Sequence, residues 1–215
     1  MHIPMFSSHH KAINSTQTAL SSLLFAGTAD GLAIYRPAGR GAWRRVGHTL
    51  AGAAVRAIVA ADAETLLVAA DGRAPQQSFD GGATWSDAPG HVPEPIGLQV
   101  ATLGGPMPLA YARLSGATAY ARLGSRPPVL LGAGADGSFL FRSQDEGIHW
   151  QAARIDAEAI GRVNTLVPAA DRRAAAWAGT EMGMLLRTND HGHSWQLIAR
   201  EPTAILCLAA VVDEE

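Results

Sequence analysis

The chain has 215 residues, of which 47% are hydrophobic and 17% charged, and its formal net charge is −2. A domain of that size buries about 70–75% of its unfolded surface, so it needs no metal or disulfide to hold together. The near-neutral charge excludes the electrostatic footprint of a nucleic-acid or anionic-membrane binder.

A lone cysteine, Cys207, excludes an intramolecular disulfide framework, and its setting in "AILCLAAVV" marks a buried, inert thiol. No run approaches the ~20 apolar residues that span a bilayer, so no membrane insertion is expected. Of 17 basic residues only Lys11 is a lysine, a bias that reads as genomic base composition. One domain, residues 1–215, and a cytoplasmic setting are the expectation, with a periplasmic or secreted one as the alternative.

In chain order, residues 1–12 read as a flexible polar segment, and "SSHH" within it as mobile rather than ligating. Next, "ALSSLLFAGTA" has the apolar centre of a secretory signal, but the same residues fit a strand that recurs three times downstream. Phe25–Arg45 then reads as three strands, with turns at Asp30-Gly31 and Gly39–Gly41 and the last strand opening on Trp43. "VRAIVAAD" (Val55–Asp62) and "VAADGRAPQQSFDGGATWS" (Val68–Ser86) supply a second unit.

Residues 92–111 are an insertion or a degenerate blade. After them, "AYARLSGATAYARLG" suits a hairpin turning at Ser115-Gly116, with Tyr111 opposite Tyr120. "AGADGSFLFRSQDEGIHWQ" (Ala133–Gln151) forms the third unit, and "VNTLVPAAD" with "AGTEMGMLLRTNDHGHSWQ" (Ala178–Gln196) the fourth. "AILCLAAVV" (Ala204–Val212) matches the first strand of a unit and has no successors. It is placed to close a ring against the N-terminal unit.

The units repeat. Trp43, Trp85, Trp150 and Trp195 are 42, 65 and 45 residues apart, and the two longest copies align without a gap. Short β-type runs punctuated by turn residues, with no long 3.6-periodic segment, describe four strands per unit. The expected fold is therefore all-β: a small propeller of four or five four-stranded blades. Its ring is closed by the terminal strands or, as a homo-oligomer, by a second chain.

Three turns share one frame: Ser78-x-Asp80-x-Gly82-x-x-Trp85, Ser143-x-Asp145-x-Gly147-x-x-Trp150 and Thr188-x-Asp190-x-Gly192-x-x-Trp195. Within such a turn the carboxylate can accept bonds from turn amides, the hydroxyl assists, glycine supplies positive φ and the indole gives an apolar base. This frame resembles the Asp-box, or BNR, repeat. With its preceding "AGT…G…RT" it is similar to Ycf48-like, sortilin-like and xyloglucanase-like propellers. The resemblance implies that these residues are structural and lie on an outer rim, away from any catalytic face.

Candidate chemistry lies elsewhere. Asp30, Asp71, Asp136 and Glu181 recur in the turn between second and third strands, on the face opposite the Asp-box turns. Three of the four precede glycine directly, and Asp-Gly favours a type I′ turn. The sharper alternatives are a docking face for a basic partner or a pair of acids for glycoside hydrolysis. Arg36, Arg142 and Arg187 recur on the third strand, to pair with an acid nearby or to meet a partner's carboxylates.

His191 and His193 flank Gly192 beside Asp190, but that aspartate is committed to its turn and no third ligand is in sight, so no metal is expected. "GAGADG" (132–137) opens a strand rather than a helix, which argues against a nucleotide site, and no cofactor is expected.

Descent from sialidases would imply an Arg-Ile-Pro signature, an arginine triad and a Tyr-Glu pair. "YRPAG" at Tyr35–Gly39 lacks the isoleucine, and the chain is short for such a six-bladed site. It is likewise short for the xyloglucanase-like enzymes. Two functions remain: a non-catalytic module that binds a protein partner, similar in role to Ycf48-like assembly factors, and a glycan-binding or glycan-cleaving propeller. No catalytic residue is assigned.

Overall fold

A computed structural model describes residues 21–39, 41–89, 100–101, 119–134 and 139–213. Among them are four sheets and no helix. The first sheet holds β1 (Ser21–Thr28), β2 (Gly31–Pro37) and β3 (Trp43–Thr49). The second is a meander of β4 (Val55–Ala60), β5 (Leu66–Ala70), β6 (Gln76–Ser78) and β7 (Ser86–Asp87).

In the third, β9 (Tyr120–Leu123), β10 (Val129–Ala133), β11 (Leu140–Ser143) and β12 (Gln151–Ala152) form the meander. A short β8 (Val100–Ala101) joins it parallel to β9. β14 (Val163–Pro168), β15 (Ala176–Thr180), β16 (Met184–Thr188) and β17 (Ser194–Arg200) make the fourth, with β13 (Arg154–Asp156) parallel to β17 on its outer edge.

The final strand, β18 (Ile205–Asp213), leaves the fourth sheet and pairs antiparallel with β1, from Ser21↔Asp213 to Thr28↔Ile205. The order β18-β1-β2-β3 thus restores four strands to a unit that has only three in sequence order. The stretch that resembled a secretory signal is, over residues 21–28, a strand with a ladder on both sides. The proposed Tyr111–Tyr120 hairpin, most of 92–111 and residues 1–12 lie outside the described residues.

Every large apolar cluster lies between sheets. Phe25, Leu32, Leu66, Val68 and Cys207 join the first sheet to the second. Leu24, Tyr35, Trp177, Leu185 and Ile205 join it to the fourth, and Leu131, Leu140, Leu186 and Trp195 join the fourth to the third. This is why β15 and β16 are buried at every position: the fourth sheet is covered on both faces. Outer strands such as β3, "WRRVGHT", are instead polar and exposed, which guards a free edge. The resulting fold is all-β and propeller-like.

Closeness at the first–second junction fixes one glycine. A Cβ on Gly27 would collide with the Cys207 sulfur and lie 2.8 Å from the Val55 carbonyl oxygen. The Asp-Gly turns differ from expectation. Gly31 and Gly72 have φ of 116° and 71°, but Asp30 and Asp71 are not among the residues at positive φ, which both central residues of a type I′ turn require. In the first, Ala29 and Asp30 make the turn and Gly31 pairs with Thr28, so the positive-φ residue follows the turn, whereas Gly72 sits within the Ala70–Arg73 turn.

Candidate functional site

The three Ser/Thr-x-Asp-x-Gly-x-x-Trp turns share one hydrogen-bond plan. The hydroxyls of Ser78, Ser143 and Thr188 accept from the amides of Gly82, Gly147 and Gly192 at 2.8, 2.8 and 3.0 Å. Each also donates to its aspartate at 2.8 Å. Asp80, Asp145 and Asp190 accept in turn from the amides of Thr84, His149 and Ser194 at 2.8, 2.9 and 3.0 Å. The residue between aspartate and glycine is left-handed in all three, with φ of 69° at Gly81, 59° at Glu146 and 60° at His191.

These bonds hold the carboxylates ionised. Asp80 is lowered to about 2, chiefly by the Thr84 hydroxyl, then by the Thr84 amide and the Ser78 hydroxyl. Asp145 is lowered further, first by the His149 amide and then by its ring. At Asp190 burial pushes upward, but bonds from Ser194 and Thr188 outweigh it. The indoles of Trp85 and Trp150 donate to the carbonyls of Gly82 and Gly147 at 3.1 and 3.0 Å, whereas the buried Trp195 N–H has no partner among the described residues.

The acids of the opposite face tie the turn between second and third strands to the entry of a first strand. Asp30 accepts from the Gly52 amide at 2.8 Å and Glu181 from the Arg162 amide at 3.0 Å. Asp71 meets Arg56 through two bonds of 2.6 Å. Asp136, the fourth of the set, lies outside the described residues.

Two of the three strand arginines are not at the surface that partner contact requires. Arg142 is 2% exposed and Arg187 6%. Arg142 crosses to the fourth sheet and donates to the His191 carbonyl at 3.0 Å. Burial pushes its guanidinium below the usual value, with Asp190 opposing. Arg187 donates to Asp171 at 3.0 Å and lies 4.9 Å from the Trp43 ring centre and 4.7 Å from that of Trp177. Arg36 is exposed on β2 and has an interaction of its own.

Sequence reasoning missed a buried polar cluster between the first and fourth sheets. Glu201, 6% exposed, accepts from the Tyr35 hydroxyl and from Arg45 at 2.8 Å. Burial, then the bond to Glu201, raise the Tyr35 phenol well above its ordinary value, the opposite of what a phenolic nucleophile needs. No repeat or motif links Tyr35 to Glu201, so nothing in the sequence marked the pair. Its place is the wall between two sheets, where a substrate has no access.

Open space lies elsewhere. Residues 60–64 and 210–212 line a cavity of about 660 Å³, and Asp62 and Glu64 are its charged residues. A second, of about 380 Å³, follows the β13–β17 pair and includes Arg154 and Asp156. Among the described residues no group of His, Cys, Asp and Glu is placed to hold a metal, and no helix is long and apolar enough to cross a membrane.

No family model matches the chain, and no curated protein matches it. Among solved structures it is similar to the crystal structure of a nidogen/laminin complex, at TM-score 0.34 and 10% identity, over 86% of this chain and 64% of that one. It is similar to YCF48 bound to D1 peptide, at 0.27 and 15%, over 86% and 55%. A GH74 enzyme of Niastella koreensis gives 0.32 and 14%, over 86% and 25%. The chain spans less than two thirds of the length of each.

Proposed function

We propose that this chain is a non-catalytic, propeller-like module of Asp-box blades that presents a rigid face to a protein partner. The observation that carries this reading is the state of its carboxylates. Asp62, Asp71, Asp80, Asp145 and Asp190 are all shifted downward, each by bonds from turn amides, hydroxyls or a guanidinium. Glycoside hydrolysis asks for one carboxyl held protonated and a second across the scissile bond. Asp62 and Glu64, the carboxylates of the 660 Å³ cavity, both rise from one turn on one wall. Buried polar groups such as Arg142, Arg187 and Glu201 are spent on joining sheets, which makes the surface stiff and suits it to recognition.

The test is a tagged pull-down from the native host at moderate salt, with bound proteins identified by mass spectrometry and the stoichiometry checked on the purified pair. A single stoichiometric protein partner is the expected result. No partner, together with release of sugar from a glycan panel, would replace this reading with the enzymatic one.

A further inference from the structure

The 660 Å³ cavity has features that the repeat does not require. Its walls are β18, residues 210–212, and the end of β4 with the turn that follows, residues 60–64. Among the described residues both strands stand at the end of their sheet's order, so each has ladder bonds on one side only. An extended segment laid along β18 would meet its backbone donors and acceptors, and across the groove it would face Ala60 and the turn of residues 61–64. Apart from Asp62 and Glu64 the lining is alanine and valine, short side chains that let another backbone approach closely.

The charge is one-sided. Asp62 and Glu64 are exposed, and no basic residue lines the cavity. Asp62 is also fixed in advance. The amides of Glu64 and Thr65 both donate to its Oδ1, at 2.8 and 2.6 Å, and the Thr65 hydroxyl adds a side-chain bond, so the carboxylate is held in one orientation at the groove. A carboxylate already ordered loses little entropy on capturing a guanidinium or ammonium.

From the free edge of β18, the small-residue floor and the acidic wall we infer that this groove is the docking site, and that its occupant is an extended segment of the partner bearing arginine or lysine. The inference rests on the protein-binding reading above and adds the place and the chemistry. It puts recognition between the first and second sheets, and not on Asp30, Asp71 and Glu181, two of which already face guanidinium groups, those of Arg56 and Arg162.

A short fluorescent peptide of alternating arginine and alanine is the probe, with binding followed by anisotropy across a salt series. Wild-type chain binds it, and more weakly as salt rises. Glu64→Lys weakens binding at least about fivefold, Ala61→Trp fills the groove and abolishes it, and Glu158→Gln, an exposed charge outside the lining, leaves it unchanged. Circular dichroism and thermal midpoints establish that each variant is folded.

Equal affinity for wild type, Glu64→Lys and Ala61→Trp overturns the assignment, as does the absence of wild-type binding at low salt. The two levels separate cleanly. Capture of a stoichiometric native partner that survives Ala61→Trp removes the groove and keeps the binding module, whereas a chain with no partner at all removes the module.

Discussion

Asp80 shows what the repeated turn asks of one side chain. Its carboxyl sits at about 2 in the folded chain because the Thr84 hydroxyl, the Thr84 amide and the Ser78 hydroxyl all favour the anion. A folded value below the ordinary 3.8 contributes stability that is complete above about pH 4 and is lost as pH falls towards about 2. Asp145 and Asp190 shift in the same direction, so their contributions fade over acidic pH as well. Thermal midpoints measured down the pH scale should therefore stay level from about pH 7 to 5 and then drop, with a shallower drop in Asp80→Asn. An equal slope in wild type and variant would show that the bonds at Asp80 are not the cause. The Ser/Thr, Asp, Gly and Trp of this turn were legible in the sequence because each residue bonds within eight positions. The left-handed backbone at Glu146 and His191 was not, since neither residue type requires it.

At the scale of elements, β18 is the informative strand. Its partner β1 lies at the other end of the described chain, yet the register runs unbroken from Ser21↔Asp213 to Gly27↔Cys207. The apolar run and its lack of successors identified it as a first strand in need of a sheet. β8 and β13 escaped notice for a physical reason: two or three residues in a parallel pair carry no periodic signal. Cys207 reports on the docking of β18. It is fully buried, donates to the Val55 carbonyl at 3.4 Å, and burial pushes its thiol up to about 12. A thiol reagent in native buffer is expected to react in one slow phase whose rate rises with denaturant, because the sulfur is reached only when β18 opens. Fast, complete labelling without denaturant would mean that the strand is not held.

For the whole molecule, stability resides in the junctions between sheets. Arg187 concentrates one of them: a buried guanidinium against two indoles and a carboxylate, joining the first sheet to the fourth. Arg187→Ala leaves Asp171 only the more distant Arg172, at 3.9 Å, and opens space between Trp43 and Trp177, a loss of about 3 kcal/mol, the low end for a broken buried pair. In a chain of this size that is a fall of roughly 10 °C in thermal midpoint. Arg187→Lys should recover only part of it, because an ammonium cannot lie flat on an indole as a guanidinium does. A midpoint for Arg187→Ala within about 2 °C of wild type would contradict this account. The recurrence of an arginine on the third strand was visible in the sequence, but its destination was not. Arg142 and Arg187 find their partners on another sheet or across their own, and no spacing rule encodes that.

The pairing of β18 with β1 also orders events at the ribosome. β18 is made some 180 residues after β1, so over that stretch of synthesis the first sheet lacks β18 and the edge of β1 that it pairs is open. A nascent chain in that state leaves Leu24 without Ile205 and Leu208 beside an unpaired strand edge, the surface that chaperones hold and that promotes association between chains. Completion of the first sheet therefore waits for β18 to return to β1.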